Sequence, residues 1–319
     1  MIQWHKVFCM RKLKRLFKSG ILNHCFQRSA DGGVIFYSQS DYLIWFTTVC
    51  TAAQRHEVKV LSMCPMPDHT HMSVTAETVQ DLSAFYGDAN RTFSRAHNQV
   101  CGTRMSWFKS TYGSVPKKGA KAGRTNLIYV GNNAVERQLA VNAEDYRWSF
   151  LAYAVSDHPF SDKLVLREAS WHMKNAVREV RAQHKMGKPL TYNQLRRITS
   201  KLSLREREQL VDFIITTYNV IDYNEALRYF DGSFENYLVA LHSTTTHEYD
   251  LNETFEGHSD AWYAQMARIL IKEKGLSDIH EFLSWPLEKR RELYPLLRNR
   301  TQATPGQICK FLHIPKVKA

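Results

Sequence analysis

The sequence predicts an α+β sandwich followed by a mostly helical region. Two observations carry this. Strand-like and helix-like patterns alternate from residue 21 to about residue 97, and after about residue 155 helical periodicity dominates and β-rich runs are few.

Gly33 to Tyr37 (GVIFY) predicts a short strand. Asp41 to Glu57 carries Leu43, Ile44, Phe46, Thr47 and Val49 at helical spacing. Val58 to Cys64 is rich in apolar and β-branched residues and predicts a second strand, and Val79 to His97 a second helix. The Lys- and Gly-rich stretch 116–124 predicts a loop, either a solvated linker or a phosphate-contacting segment. Beyond it, Ile128, Val135 and Leu139 form the buried stripe of a further helix. Segments 161–186, 203–217, 223–242, 259–274 and 286–299 have helical texture, and Thr304-Pro305 opens one more helix with Ile308, Phe311 and Leu312 buried. Residues 286–315 resemble the first two helices of a helix-turn-helix unit, with little room after them for a recognition helix. Aromatic residues such as Trp262, Tyr263, Tyr294 and Phe311 read as core. The chain thus divides into residues 1–155, with a basic extension over 1–20, and a helical region over 156–319.

Apolar (44%) and charged (23%) fractions are those of a packed globular protein. Lys and Arg number 43 against 31 Asp and Glu, a formal charge of +12, which suits a polyanionic partner better than a small metabolite. No apolar run is long enough to span a bilayer. The N-terminus is basic and amphipathic, with Leu13, Leu16 and Phe17 on one side, and lacks the features of a signal peptide. Six scattered cysteines without a CxxC pair predict reduced, mostly buried thiols in a cytoplasmic protein. Nothing in the sequence chooses between monomer and homodimer.

The sharpest local feature is Met66-Pro67-Asp68-His69-Thr70-His71-Met72-Ser73-Val74. Side chains alternate along a strand, so His69 and His71 project together while Met72 and Val74 face the other way. Two imidazoles on one strand face can chelate a divalent ion, although an isolated HxH is also a common surface pattern. Further on, Tyr129 and Asn133 lie four apart and are expected on one exposed helix face, where a hydroxyl and an amide oxygen could both address the metal.

These features sit among others in a recognisable order. Leu22-Asn23-His24-Cys25-Phe26-Gln27-Arg28, Val34-Ile35-Phe36, Asp41-Tyr42 and the strand into MPDHTHM come first. Phe93-Ser94-Arg95, Trp107-Phe108, Tyr112, Tyr129 to Asn133 and Glu144-Asp145-Tyr146-Arg147-Trp148-Ser149 follow. Over about residues 20–155 the chain resembles the REP-associated tyrosine transposases, which are single-tyrosine HUH transposases. The resemblance implies a ferredoxin-like HUH domain of antiparallel sheet backed by helices. It also implies His69, His71 and Asn133 as ligands of Mg²⁺ or Mn²⁺, Tyr129 as nucleophile, and single-stranded or hairpin DNA as substrate. Lys117, Lys118, Lys121 and Arg124, with Gln27 and Arg28, are the candidate DNA contacts. Thr70, Asp68 and Ala134 depart from the family's usual bulky apolar residue, Asn and Pro. Every candidate reacting group lies between His69 and Asn133, so residues 156–319 are expected to supply affinity rather than chemistry. Two other readings remain: a domesticated, non-catalytic hairpin-binding regulator on the same fold, and a barrel metallohydrolase, against which the helical second half argues.

Overall fold

A computed structural model describes residues 15–243 and 258–316. Residues 1–14, and with them most of the expected N-terminal helix and Cys9, lie outside the described residues. Four strands form one antiparallel sheet: β1 (Asn23–Arg28), β2 (Lys59–Met66), β3 (His69–Thr75) and β4 (Gly113–Pro116), in the order β2-β3-β1-β4. Two residues, Pro67 and Asp68, turn β2 into β3, with Met66 paired to His69. Pro67 presets the φ that the first central position of a tight turn requires.

The sheet is covered on both faces. Cys25, Val60, Met63, Met72 and Val74 pack with α1 (Gln39–Arg55) and α2 (Val79–Cys101). Cys64 and Met66 face α3 (Gly119–Glu136), against Tyr129, Val130 and Ala134. α1 is buried almost all round because helices from beyond residue 155 cover its outer side, chiefly α6 (Leu204–Tyr218). The rest of the helical region comprises α4 (Trp171–Lys185), α5 (Tyr192–Thr199), α7 (Tyr223–Leu227), α8 (Phe234–Ser243), α9 (Ala261–Lys274), α10 (Leu287–Arg291), α11 (Tyr294–Arg300) and α12 (Pro305–Leu312), with a 3₁₀ segment at Ile279–Ser284. The architecture is α+β with a mostly helical remainder. Among the described residues no helix is long and apolar enough to cross a membrane.

Several sequence expectations need correction. Gly33 to Tyr37 is not a strand: it is a buried connection whose N–H groups go elsewhere, Val34 to the Lys310 carbonyl and Ile35 and Phe36 to that of Pro67. Its apolar character comes from burial, not from sheet pairing. The 116–124 loop shrinks to two residues, because Pro116 ends β4 and α3 begins at Gly119. The expected helix 161–186 starts only at Trp171. The 223–242 helix breaks into α7 and α8 at Asp231 and Gly232, both at positive φ, and 286–299 into α10 and α11. α5, β1 and β4 were not foreseen as elements. Thr304 does cap α12, in a reciprocal capping box with Gln307 and with Pro305 in the first turn.

α12 lies against α9 and α11, with Ile308, Cys309, Phe311 and Leu312 buried, so its apolar side is committed to the core. Phe311 joins the same core cluster as Phe36, Phe46 and Phe282, and the Tyr37 hydroxyl donates to the Phe311 carbonyl at 2.7 Å. The core is therefore continuous across residue 155. Phe311→Ala should cost about 3–5 kcal/mol, the range for emptying a buried aromatic site. Urea unfolding followed by a probe in the sheet and one in the helices should show both transitions falling together. A loss under about 1 kcal/mol, or a shift confined to the helical probe, would show α12 to be an appendage.

Candidate metal and phosphate site

Strand alternation puts His69 and His71 on the α3 face of β3, as the sequence predicts, with ring centroids 4.8 Å apart and planes nearly perpendicular. Both are buried. His69 Nδ1 donates to Asp68 Oδ1 at 2.6 Å, and Lys310 Nζ of α12 donates to Asp68 Oδ2 at 2.8 Å. Burial alone would raise the Asp68 carboxyl, but the His69 ring and the Lys310 ammonium outweigh it and hold the group ionised far below the usual carboxylate range. With its proton committed at Nδ1, the His69 imidazole carries its lone pair on Nε2. That nitrogen is buried and has no hydrogen-bond partner among the described residues. A carboxylate holding one ring nitrogen while the other faces out is the usual arrangement of a metal-ligating histidine.

His71 Nδ1 lies 3.0 Å from Nε2 of His24, which β1 places on the same face. Burial first, with the Arg28 and Arg137 guanidinium charges adding to it, keeps His71 well below the ordinary histidine value. It is held neutral, the form that binds a metal. The Tyr129 ring stands edge-on to both His24 and His71, with centroids 5.4 Å from each. Asn133, one turn further along α3, donates its amide to the Tyr129 carbonyl at 2.8 Å, leaving its oxygen as the group that can accept or ligate. The expectation that Tyr129 and Asn133 are exposed is wrong: they are 4% and 3% exposed. α8 covers the back of α3 so closely that a Cβ on Gly131 would meet Leu241 at 2.7 Å.

At the His69 end of the sheet opens a cavity of about 460 Å³. Four cations line it: Arg28, Lys109, Arg137 and Lys310. Arg28 is the register partner of His69, and Arg137 caps the C-terminus of α3. Lys109 is held in place by its backbone, its N–H donating to the Arg28 carbonyl and its carbonyl accepting from Gln27. Of the two carboxylates in the lining, Asp68 is engaged as described and Asp31 accepts from His313 Nδ1 at 2.6 Å. Against the upward push of burial, His313 brings Asp31 down to about 2. The His313 ring reaches Asp31 by lying where a Cβ on residue 33 would be, so Gly33 is required there. The cavity is cationic and is suited to phosphate oxygens.

The other predicted DNA contacts are dispersed. Lys117 follows the Pro116 end of β4, which aligns with Asn23, whereas His69 aligns with Arg28 at the opposite end of β1. Lys118, Lys121 and Arg124 follow on that far side, with Arg124 stacked over Phe230. Gln27 is 1% exposed and serves the Lys109 loop from inside. The sequence reading missed His24, Lys109, Arg137 and Lys310, and gave Asp68 no role. It also expected nothing at the site from beyond residue 155, which Lys310 corrects.

A second cluster lies elsewhere. His97 and Cys101 of α2 and His280 place ligand atoms within 4.8 Å of one another, a buried group that could hold a metal ion. Both His280 nitrogens are already engaged, Nδ1 with Asp278 at 2.5 Å and Nε2 with Asp41 at 2.9 Å. Burial works against its charge, but Asp41 and Asp278 prevail and push His280 up to about 10. An imidazolium offers no lone pair, so a metal would first have to displace Asp41; as it stands the group is a buried ion pair joining the 279–284 segment to α1.

No family model matches the chain, and no curated protein does. A solved structure of a REP-associated tyrosine transposase bound to a REP hairpin matches 49% of this chain and 94% of that one, at 13% identity and a TM-score of 0.39. At that score the likeness carries no weight for fold or function.

The raised His280 value has a consequence for stability. Its contribution is fully present below the unfolded histidine value of about 6.5 and is lost as pH rises through about 10. Unfolding free energy should therefore decline between those limits, and His280→Gln should be less stable at neutral pH with a flatter alkaline decline. Parallel denaturation curves for variant and parent across that window would contradict the ion-pair assignment.

Proposed function

We propose that the chain is a metal-assisted DNA strand-transfer enzyme with a tyrosine nucleophile, acting on single-stranded or hairpin DNA. The observation that carries this reading is the buried, unpartnered Nε2 of His69, fixed by Asp68 at the edge of a cavity with four cations. In this reading His69, His71 and the Asn133 oxygen hold one divalent ion, Mg²⁺ or more readily Mn²⁺ given two imidazoles. The ion supplies charge neutralisation at the non-bridging oxygens of the scissile phosphate. Arg28, Lys109, Arg137 and Lys310 seat the adjoining phosphates. The Tyr129 oxygen bonds to phosphorus as the bond to the 3′ oxygen breaks; the tyrosine loses its proton and the leaving oxygen gains one. The 5′-phosphotyrosine retains the bond energy, so the reverse attack by another 3′-OH rejoins DNA without a further reactant. The ordered motifs that resemble REP-associated tyrosine transposases support the same roles. Lys117, Lys118, Lys121 and Arg124 would then meet DNA away from the reacting phosphate.

One observation favours a second reading, a hairpin-binding regulator without cleavage: the burial of Tyr129. Incubation with single-stranded hairpin DNA and Mn²⁺, followed by a denaturing gel, separates the two. A covalent adduct is expected; tight binding with no adduct would leave the regulator.

Tyr129→Phe should abolish the adduct and leave DNA affinity within about twofold, because only a hydroxyl is removed. An undiminished adduct yield would exclude Tyr129. Asp68→Asn should weaken Mn²⁺ binding by about 10–100-fold, the usual cost of losing the partner that orients a ligand. Overlaying Mn²⁺ titrations of variant and parent would remove the metal from His69.

A further inference from the structure

Lys109 lines not one cavity but two. Beside the His69 cavity, a cleft of about 470 Å³ runs between α2 and the segment 105–112. Arg15, Arg91 and Lys109 line it, and no carboxylate does among the described residues. Arg15 is held in place: its guanidinium lies over the Tyr112 ring, 4.5 Å from the centroid, and donates to the Ser83 hydroxyl at 3.3 Å. Arg91 is exposed and folds back along α2, its guanidinium 3.0 Å from where a Cβ on Gly87 would sit. Arg15 is thus anchored at Ser83 and the Arg91 guanidinium at Gly87, one helical turn or roughly 6 Å further along α2, and Lys109 lies on the opposite wall. Three cations spaced along a cleft suit successive phosphates of a strand.

We propose that this cleft is the path of single-stranded DNA leading to or from the phosphodiester at His69, with Lys109 as the point where the two cavities meet. The proposal rests on the reading that the His69 cavity receives a phosphodiester. Three features define the ligand. Cations without acids select a polyanion, because each phosphate neutralised releases condensed counterions. Serine hydroxyls and the Asn90 amide along the walls are donors for phosphate and sugar oxygens. The aromatic residues there are spoken for, Tyr112 stacked on Tyr86 and Trp107 buried against His97, so they offer no open face for bases. Contact is therefore with the backbone and tolerant of sequence.

The full chain is titrated with a short oligothymidylate that fits the His69 cavity alone and a long one that also fills the cleft, across a salt series. Arg15→Ala combined with Arg91→Ala should weaken the long probe about tenfold or more and lower its salt slope by about two, roughly one per lost contact, while the short probe binds as before. Lys121→Ala combined with Arg124→Ala removes the same charge from the far end of the sheet and tests a competing route. If that pair reproduces the loss, or if the Arg15/Arg91 variant binds the long probe as the parent does, the path is wrong. Adduct formation by the parent protein is scored separately. A missing adduct with the Arg15/Arg91 effect intact would overturn the catalytic reading and leave the strand path standing.

Discussion

The Asp68 carboxylate sits in a two-residue turn between two sheet strands and takes a proton-bearing nitrogen on each oxygen, His69 Nδ1 on one and Lys310 Nζ on the other. Its position follows from covalent geometry: a two-residue connection leaves its side chain no distance to wander from His69. Its charge follows from its partners, which more than offset the desolvation that burial imposes. The tautomer of His69 then follows from Asp68, and the lone pair on Nε2 from the tautomer. The Lys310 ammonium gives the buried carboxylate its second partner and adds to the pull of His69 that keeps it ionised. The local chemistry of the hairpin is thus completed by a helix more than two hundred residues later in the chain.

That dependence explains why the helical region is packed into the sheet layer and not tethered to it. The Val34 N–H bonds to the Lys310 carbonyl, His313 reaches over Gly33 to Asp31, and Tyr37 bonds to the Phe311 carbonyl. These contacts fasten the buried 33–37 connection to α12, and α12 carries Lys310. The Asp41–His280 pair makes a second fastening between the same two parts of the chain. A buried pair of this kind adds little net stability over an apolar contact, but breaking one partner leaves an uncompensated charge.

What could be read in the sequence was what local periodicity encodes. α1, β2, β3 and α2 came out at nearly the right residues, and alternation placed His69 and His71 on a common face. β1 was hidden because His24 and Phe26 face α3 while Cys25 and Gln27 face α1 and α2, so the strand is buried on both sides and its polar residues disguise it. Gly33 to Tyr37 misled for the opposite reason, being apolar from burial while its N–H groups serve a turn and α12. Tyr129 and Asn133 were placed on an exposed face because a helix sequence does not announce a second covering layer. α3 is covered on two sides: Tyr129 packs against the sheet, with Cys64, Met66, His24 and His71, while Leu127, Ile128 and Gly131 face α8. The cationic cavity was the least legible feature: Arg28, Lys109, Arg137 and Lys310 come from four distant segments, while the conspicuous local run from Lys117 to Arg124 lies at the other end of the sheet.

The burial of Tyr129 bears on how a nucleophile could work here. Its ring is enclosed by His24 and His71 on one side and by the body of α3 on the other, and α3 is itself pinned between sheet and α8. A phosphodiester cannot reach the hydroxyl from the sheet side, because the strands are continuous there. The cavity opens at the His69 end, and of the proposed ligands and nucleophile His69 alone lines it, not His71, Asn133 or Tyr129. On the proposed reading, a phosphate entering there would meet the four cations and His69 first. Its charge would be neutralised before it reached the tyrosine, and the energy of those contacts is available to offset whatever displacement of α3 the attack requires. Cleavage would then be coupled to occupancy of the cationic cavity, and a strand too short or too weakly charged to fill it would bind without reacting.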